Sequence, residues 1–131
     1  MSATDDAWRW LEQARIDLDA ARSNKTRHPY VACFLAHQAA EKALKAALLA
    51  RSGMVARTHS LSRLEQMLQD MGVVLQGVRH RALRDLERLH GEARYPDALP
   101  DDIPGRYFRE EDAEEAISIA ASVLSAVERI F

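Results

Sequence analysis

Apolar residues recur at helical spacing along most of the chain, and no segment shows the convincing alternation that marks a strand. The first helix is predicted over about residues 5–22, with an apolar face formed by Trp8, Leu11, Ala14, Leu18 and Ala21. A second helix is predicted to begin after His28 at Pro29, to continue through Leu49 and to end near Gly53. Proline suits the first turn of a helix and glycine suits the residue after its end.

Three further helices follow in the prediction. The third covers about Leu61 to Met71 and is closed by Gly72, with either Ser62 paired to Glu65 or Ser60 as its N-terminal cap. The fourth covers about residues 74–89 and the fifth about residues 109–129, separated by a segment with three prolines. The pattern therefore predicts an all-α, up-and-down bundle of about five helices, folded as a single domain over residues 1–131.

The second predicted helix is unusual because polar residues interrupt its alanine-rich apolar surface. These residues are His37, Gln38, Glu41 and Lys42. The spacing allows two pairs four residues apart, His37 with Glu41 and Gln38 with Lys42. Since buried polar groups need hydrogen-bond partners, this face predicts a buried polar network, with the lining of a cleft between two subunits as the alternative.

The overall charge conceals two oppositely charged segments. The formal net charge is −2, which gives no general attraction to nucleic acid. Residues 97–115 alone carry a net charge of −6, whereas residues 79–94 contain five arginines, two histidines and three acidic residues. Any anion-binding surface is therefore expected to be local.

Several classes of site and location are not expected from the sequence. No apolar run approaches the roughly 20 residues that span a bilayer, and the start of the chain lacks the features of a signal peptide, so the default location is cytoplasmic. Cys33 is the only cysteine, which excludes an intrachain disulfide. The histidines are scattered, and there is neither a metal-ligand motif nor a phosphate-binding or dinucleotide glycine motif. We therefore expect no metal and no cofactor.

Three segments together resemble the HEPN domain family, a group of small helical modules of prokaryotes and higher eukaryotes. They are Ala-His-Gln-Ala-Ala-Glu-Lys-Ala-Leu-Lys-Ala beginning at Ala36, Thr-His-Ser-Leu beginning at Thr58, and Ala-Arg-Tyr-Pro-Asp beginning at Ala93. Their order and spacing are similar to those of the family over nearly the whole chain. The resemblance implies a homodimer that binds nucleotide or RNA. It also implies a partner, a minimal nucleotidyltransferase, with which such proteins commonly form toxin–antitoxin pairs.

The resemblance also raises an enzymatic alternative. Some members of the family are metal-independent ribonucleases marked by an arginine a few residues before a histidine, and Arg84 and His90 fit that pattern here. In such a reaction the histidine moves a proton and the arginine stabilises phosphate charge. On a continuous helix the two side chains lie about 120° apart. They can converge only if the helix ends near Leu89 or if a second subunit supplies one of them.

Five residues are the candidates for binding nucleotide or RNA. Arg94 could hold a phosphate and Tyr95 could stack on a base, and Pro96 favours extended backbone at the residue before it. The other three candidates are His37, Lys42 and His59. A third hypothesis assigns the chain no catalysis and no ligand: the alanine-rich helix would then mediate dimerisation, and the acidic start of the last helix would contact a partner protein.

Overall fold

The computed structural model describes residues 3–131, and within that range the chain is helical with no strand. The α-helices are α1 (Ala3–Asn24), α2 (Pro29–Ser52), α3 (Leu61–Asp70), α4 (His80–Arg94), α5 (Pro104–Tyr107) and α6 (Glu110–Glu128), with a 3-10 turn at Pro96–Ala98. The prediction of an all-α bundle is confirmed. Met1 and Ser2, which the single-domain prediction includes, lie outside the described residues.

Helix α2 lies at the centre of the bundle. It packs along α1 and also contacts α3, α4, α5 and α6. Alanine supplies much of its buried surface, which lets the neighbouring helices approach closely. Because α2 is covered on nearly every side, its polar side chains are enclosed as well: His37, Glu41 and Lys45 are all buried.

The ends of α2 and the start of α3 follow local sequence signals. Pro29 occupies the first turn of α2. Gly53 ends the helix in the left-handed conformation, with φ of 74°, and its N–H donates to Leu49 O at 2.8 Å. At α3, Ser60 is the cap, since its hydroxyl accepts from the Arg63 N–H at 3.2 Å. The alternative capping box fails because Glu65 is buried and faces His80.

Helix α4 was predicted about five residues too early at both ends. It begins at His80, not near Val74, because Gly77 adopts a φ of 81° that breaks a right-handed helix. It ends at Arg94, not near Leu89, because Gly91 is accommodated within the helix. The extended conformation predicted before Pro96 is present at Tyr95, with φ of −138° and ψ of 145°.

Helix α6 closes the bundle and carries acidic residues at its start. Three acids, Glu110, Glu111 and Asp112, occupy its first turn, where negative charge stabilises the positive end of the helix dipole. Asp112 also accepts a hydrogen bond from the Arg109 N–H at 2.9 Å. Among residues 3–131, none of the helices combines the length and the apolarity that crossing a membrane requires.

Candidate functional site

An aromatic groove lies between the start of α2 and the end of α4. Its cavity volume is about 360 Å³, and it is lined by Tyr30, Val31, Phe34, Ala93, Arg94 and Tyr95. The groove forms because α4 ends here, and Tyr95 after it is extended before Pro96 and the 3-10 turn that starts there. It therefore combines three aromatic rings with one guanidinium group.

The arginine and the neighbouring tyrosine are both presented to solvent. Tyr95 is 57% exposed, so it does not fill the bundle interior. The Arg94 guanidinium lies 5.3 Å from the centre of the Tyr95 ring and its Nη2 is 3.5 Å from the tyrosine hydroxyl. Within the described residues, Arg94 contacts Tyr95 and not an acid of α6. A flat aromatic ring beside an uncommitted guanidinium can hold a nucleobase and a phosphate.

A buried polar network lies behind the groove and ties three elements together. The Glu87 carboxylate of α4 contacts His37 Nε2 of α2 at 2.8 Å and accepts from the Leu61 N–H, at the start of α3, at 2.6 Å. Burial alone would raise the pKa of Glu87, but these hydrogen bonds and the nearby His37 and His90 outweigh it and leave the pKa lowered. Glu87 is thus held as a carboxylate between α2, α3 and α4.

A second carboxylate extends the network on the other side of His37. Glu41 Oε1 lies 3.8 Å from His37 Nδ1, the four-residue pair that the sequence predicts. Its Oε2 binds Lys45 Nζ at 3.0 Å and His59 Nδ1 at 2.9 Å. The prediction of a buried polar network on α2 is confirmed for His37 and Glu41, whereas Lys42 pairs with Asp17 instead. His59 fixes the loop before α3 to this network, although its side chain is 81% exposed.

The network meets the groove through a stack of rings. The His37 and His90 rings lie 3.8 Å apart at 16°, and the Phe34 ring lies 5.4 Å from that of His90 on the groove side. His90 Nε2 is inaccessible to solvent and has no hydrogen-bond partner, and the same is true of His37 Nδ1. Burial, together with the charges of His37 and Arg94, lowers the pKa of His90 to about 4, against the opposing effect of Glu87 and Glu41.

The structure does not bring Arg84 and His90 together within one chain. Helix α4 is continuous from His80 to Arg94, so the helix end near Leu89 that would let them converge is missing. Arg84 is exposed, whereas His90 faces α2 and stacks on His37. His90 therefore does not cap a helix end either. Arg84 and His90 could therefore meet only if a second subunit supplied one of them.

Lys42 lies away from the groove, in a cleft between α1 and α2. Its Nζ binds Asp17 Oδ2 at 2.5 Å, so the predicted pairing with Gln38 is replaced by an ion pair to α1. This cleft is larger than the groove, about 710 Å³, and Trp10 lies in its wall. We favour the groove as the binding site because both cations of the larger cleft are paired with acids, Lys42 with Asp17 and Arg9 with Asp6.

Three participants were missed by sequence reasoning. Tyr30 and Phe34 face Arg94 only because α2 and α4 pack side by side, and Glu87 lies 50 positions after His37. For Tyr30 and Phe34 the sequence gave only a weak indication, namely aromatic residues just after Pro29 at the start of an alanine-rich helix. For Glu87 it gave none. Cys33 is buried, and burial together with Asp112 and Glu115 raises its thiol pKa to about 12, so it is not a nucleophile.

The fold and the groove define a small helical module with a basic, aromatic recess backed by a histidine–carboxylate network. The family model of the HEPN domain matches residues 7–130. The chain therefore belongs to the HEPN domain family, as the three sequence segments indicated. Among curated proteins, none is significantly similar to it.

Solved structures support the assignment. The protein TT1696 from Thermus thermophilus is 36% identical, with a TM-score of 0.79 over 95% of this chain and 98% of that one. ST0689, an archaeal HEPN homologue, is 33% identical, with a TM-score of 0.69 over 99% of this chain and 98% of that one. A HEPN domain protein from Thermotoga maritima is 27% identical, with a TM-score of 0.55 over 98% and 95% of the two chains.

Proposed function

We propose that this HEPN protein binds nucleotides or single-stranded RNA in the aromatic groove between α2 and α4. The observation that carries the proposal is the position of Arg94 beside the exposed ring of Tyr95, opposite Tyr30 and Phe34. Base stacking on an aromatic side chain needs no particular sequence, and a guanidinium binds phosphate. The groove has room for about one nucleotide, so a mononucleotide and the end of an RNA strand share the same recognition chemistry.

The proposal extends to the partners that membership of the family implies. We propose that the chain acts as a homodimer and works with a minimal nucleotidyltransferase in a toxin–antitoxin pair. The acidic first turn of α6, with Glu110, Glu111 and Asp112, is a surface that a basic partner could contact. A small nucleotidyltransferase encoded beside this chain, and its co-purification with the chain, would support the pairing.

Ribonuclease activity is the competing proposal, and the geometry favours it less. Cleavage without a metal needs a histidine whose nitrogen reaches the 2′-hydroxyl and an arginine beside the same phosphate. Here His90 Nε2 is enclosed and Arg84 lies on another face of α4. A purely structural role is the remaining alternative, and it gives no reason for the exposed Arg94 and Tyr95 side chains in the groove.

Titration of fluorescently labelled short RNA, with free mononucleotides as competitors, tests the proposal. We expect Arg94→Ala to weaken binding roughly tenfold or more, since a charge-assisted hydrogen bond contributes about 1.5–3 kcal/mol. Arg51→Ala is the matched control, because it removes an exposed arginine roughly 30 Å along α2 from the groove. Equal losses in the two variants would indicate general charge attraction, and no binding at low salt would favour the structural role.

A further inference from the structure

Two exposed arginines of α4 lie on the side of that helix that borders the aromatic groove. Arg84 and Arg94 are within about 80° of each other around the helix axis and about 15 Å apart along it. Within residues 3–131, neither guanidinium is paired with an acid. Gly91 lies between them, at a position where a side chain would meet no other atom. The helix surface between the two arginines is therefore low and open.

The loop before α3 adds two exposed basic side chains, Arg57 and His59, to the same side of the molecule. The loop is held against α4 where it joins α3, because the Leu61 N–H donates to Glu87 Oε1 at 2.6 Å. Glu87 follows Arg84 by about one helical turn, so the loop and this arginine border the same side of α4. We call the surface formed by Arg57, His59 and Arg84 the basic strip.

The acidic side chains on this side of α4 are turned into the bundle. Both oxygens of Glu87 are engaged, Oε1 by the Leu61 N–H and Oε2 by His37 at 2.8 Å. Glu41, which His59 contacts, is only 6% exposed and also binds Lys45. The buried network therefore takes up the carboxylates and leaves the guanidinium groups of this surface to solvent.

The remaining acids of α4 lie on its other shoulder. Asp85 and Glu92 are about 80–100° from Arg84 around the axis, in the opposite sense from Arg94. Glu92 is also paired there with Arg88, at 3.6 Å. Neither acid therefore separates the basic strip from the groove.

The groove lies between two surfaces of opposite charge. Residues 97–115, which carry a net charge of −6, follow Tyr95 directly and contact α4 through the 3-10 turn and α5. The basic strip borders the groove on the other side, beyond Gly91. A polyanion with one end in the groove is repelled by the first surface and attracted by the second. This charge arrangement favours one path for a strand that leaves the groove.

We propose that the ligand is single-stranded RNA of several nucleotides, which runs from the aromatic groove across Gly91 onto the basic strip. This path rests on the proposed function, because the groove holds one end of the strand. The distance of about 15 Å from Arg94 to Arg84 corresponds to roughly four stacked nucleotides at about 3.4 Å each. Arg57 and Arg84 contact phosphates along it, and phosphate contacts carry no sequence information. Arg84 thereby has a role in binding.

The dependence of affinity on RNA length tests the path. Calorimetric titrations compare a mononucleotide with a single strand of about eight nucleotides. We expect the strand to bind at least about tenfold more tightly and with a steeper dependence on salt. Arg84→Ala and Arg57→Ala should each weaken strand binding roughly three- to tenfold and reduce the salt slope by about 0.7, with little effect on the mononucleotide. Arg94→Ala should weaken the binding of both ligands.

Arg22→Ala is the matched control, because it removes an exposed arginine from α1, which packs on α2 and α6. This variant should bind the strand like the unchanged protein, and an equal loss in it would overturn the path. Equal affinities for strand and mononucleotide would overturn the path and leave the groove intact, whereas binding of neither ligand would overturn both. Strand binding that is unaffected by Arg84→Ala, together with salt-sensitive self-association that Arg84→Ala abolishes, would assign the basic strip to a second copy of the chain instead.

Discussion

The imidazole rings of His37 and His90 stack face to face, 3.8 Å apart and 16° from parallel, and so join the central helix α2 to α4. One side of the pair meets Phe34 in the aromatic groove, and the other meets the carboxylates of the buried network. Burial of the His90 ring in this closely packed pair disfavours its charged form and lowers its pKa. The stability of the fold should therefore respond to pH through His90.

Acidification is expected to destabilise the protein through His90. The pKa of this side chain is about 4 in the folded chain and 6.5 as its ordinary value, so the unfolded state binds the extra proton first. Stability attributable to His90 is complete above pH 6.5 and is lost as the pH falls from 6.5 to about 4. The loss amounts to about 3 kcal/mol.

Urea unfolding at both ends of this pH interval measures the effect. The variant His90→Phe keeps the ring stack and cannot titrate, so its stability should fall less on acidification than that of the unchanged protein. His28→Phe, at an exposed position before α2, is the control and should behave like the unchanged protein. An equal acid-induced loss in His90→Phe would show that His90 is not the titrating group.

Removal of the Glu87 carboxylate should destabilise the bundle more than a surface change does. Glu87→Ala leaves the Leu61 N–H and His37 Nε2 without their partner, and each unsatisfied buried group costs about 1–3 kcal/mol. We expect a loss of about 2–4 kcal/mol in chemical unfolding. Glu87→Gln should recover part of it, and exposed Glu12→Ala should change stability by less than about 0.5 kcal/mol. If Glu87→Ala lowers the free energy of unfolding no more than Glu12→Ala does, the network does not stabilise the bundle.

The fold was largely predictable because its signals are local. Pro29 and Gly53 mark the ends of α2, and apolar spacing identifies the other long helices. The start of α4 was wrong because Val73 and Leu75, which are buried in the loop, continue an apolar pattern that periodicity alone assigns to a helix. Its end was wrong because a glycine lowers helix propensity without forbidding a helix, and packing of α4 against α2 decided the outcome.

The site was predictable only in part. Arg94, Tyr95 and His37 were singled out from sequence, but their relation depends on the packing of α2 against α4. Glu87 has no local feature that distinguishes it from any other acid on a helix, and its partner His37 lies 50 positions earlier. Lys42 was grouped with His37 by sequence proximity, although it turns towards Asp17 on α1.

The exposed ring of Tyr95 should contribute to RNA binding through its aromatic face. Tyr95→Ala is expected to lower affinity by about 5- to 150-fold, because base–aromatic stacking contributes about 1–3 kcal/mol per base. Tyr95→Phe keeps the ring and should bind within a few-fold of the unchanged protein. Anisotropy titrations of a short labelled RNA measure both. If Tyr95→Ala binds RNA as tightly as the unchanged protein, stacking on Tyr95 does not contribute to binding.

Purified protein is expected to leave RNA intact in the presence of a chelator. The reason is geometric: Arg84 and His90 do not converge on one chain, and His90 Nε2 is enclosed. Incubation of labelled RNA with a large excess of protein, followed by gel analysis, measures any cleavage. Arg22 precedes His28 by the same six positions that separate Arg84 from His90, so Arg22→Ala is the control. Cleavage that disappears in His90→Ala and Arg84→Ala but persists in Arg22→Ala would contradict this expectation and establish the ribonuclease alternative.

Amide NMR spectra recorded during titration with a mononucleotide or short RNA test the central claim most directly, since they locate the bound ligand. We expect shifts concentrated around Tyr30, Phe34, Arg94 and Tyr95, and nearly absent from the cleft beside Trp10 and Lys42. Shifts centred on that cleft, or spectra that do not change at saturating ligand, would contradict a nucleotide-binding groove between α2 and α4.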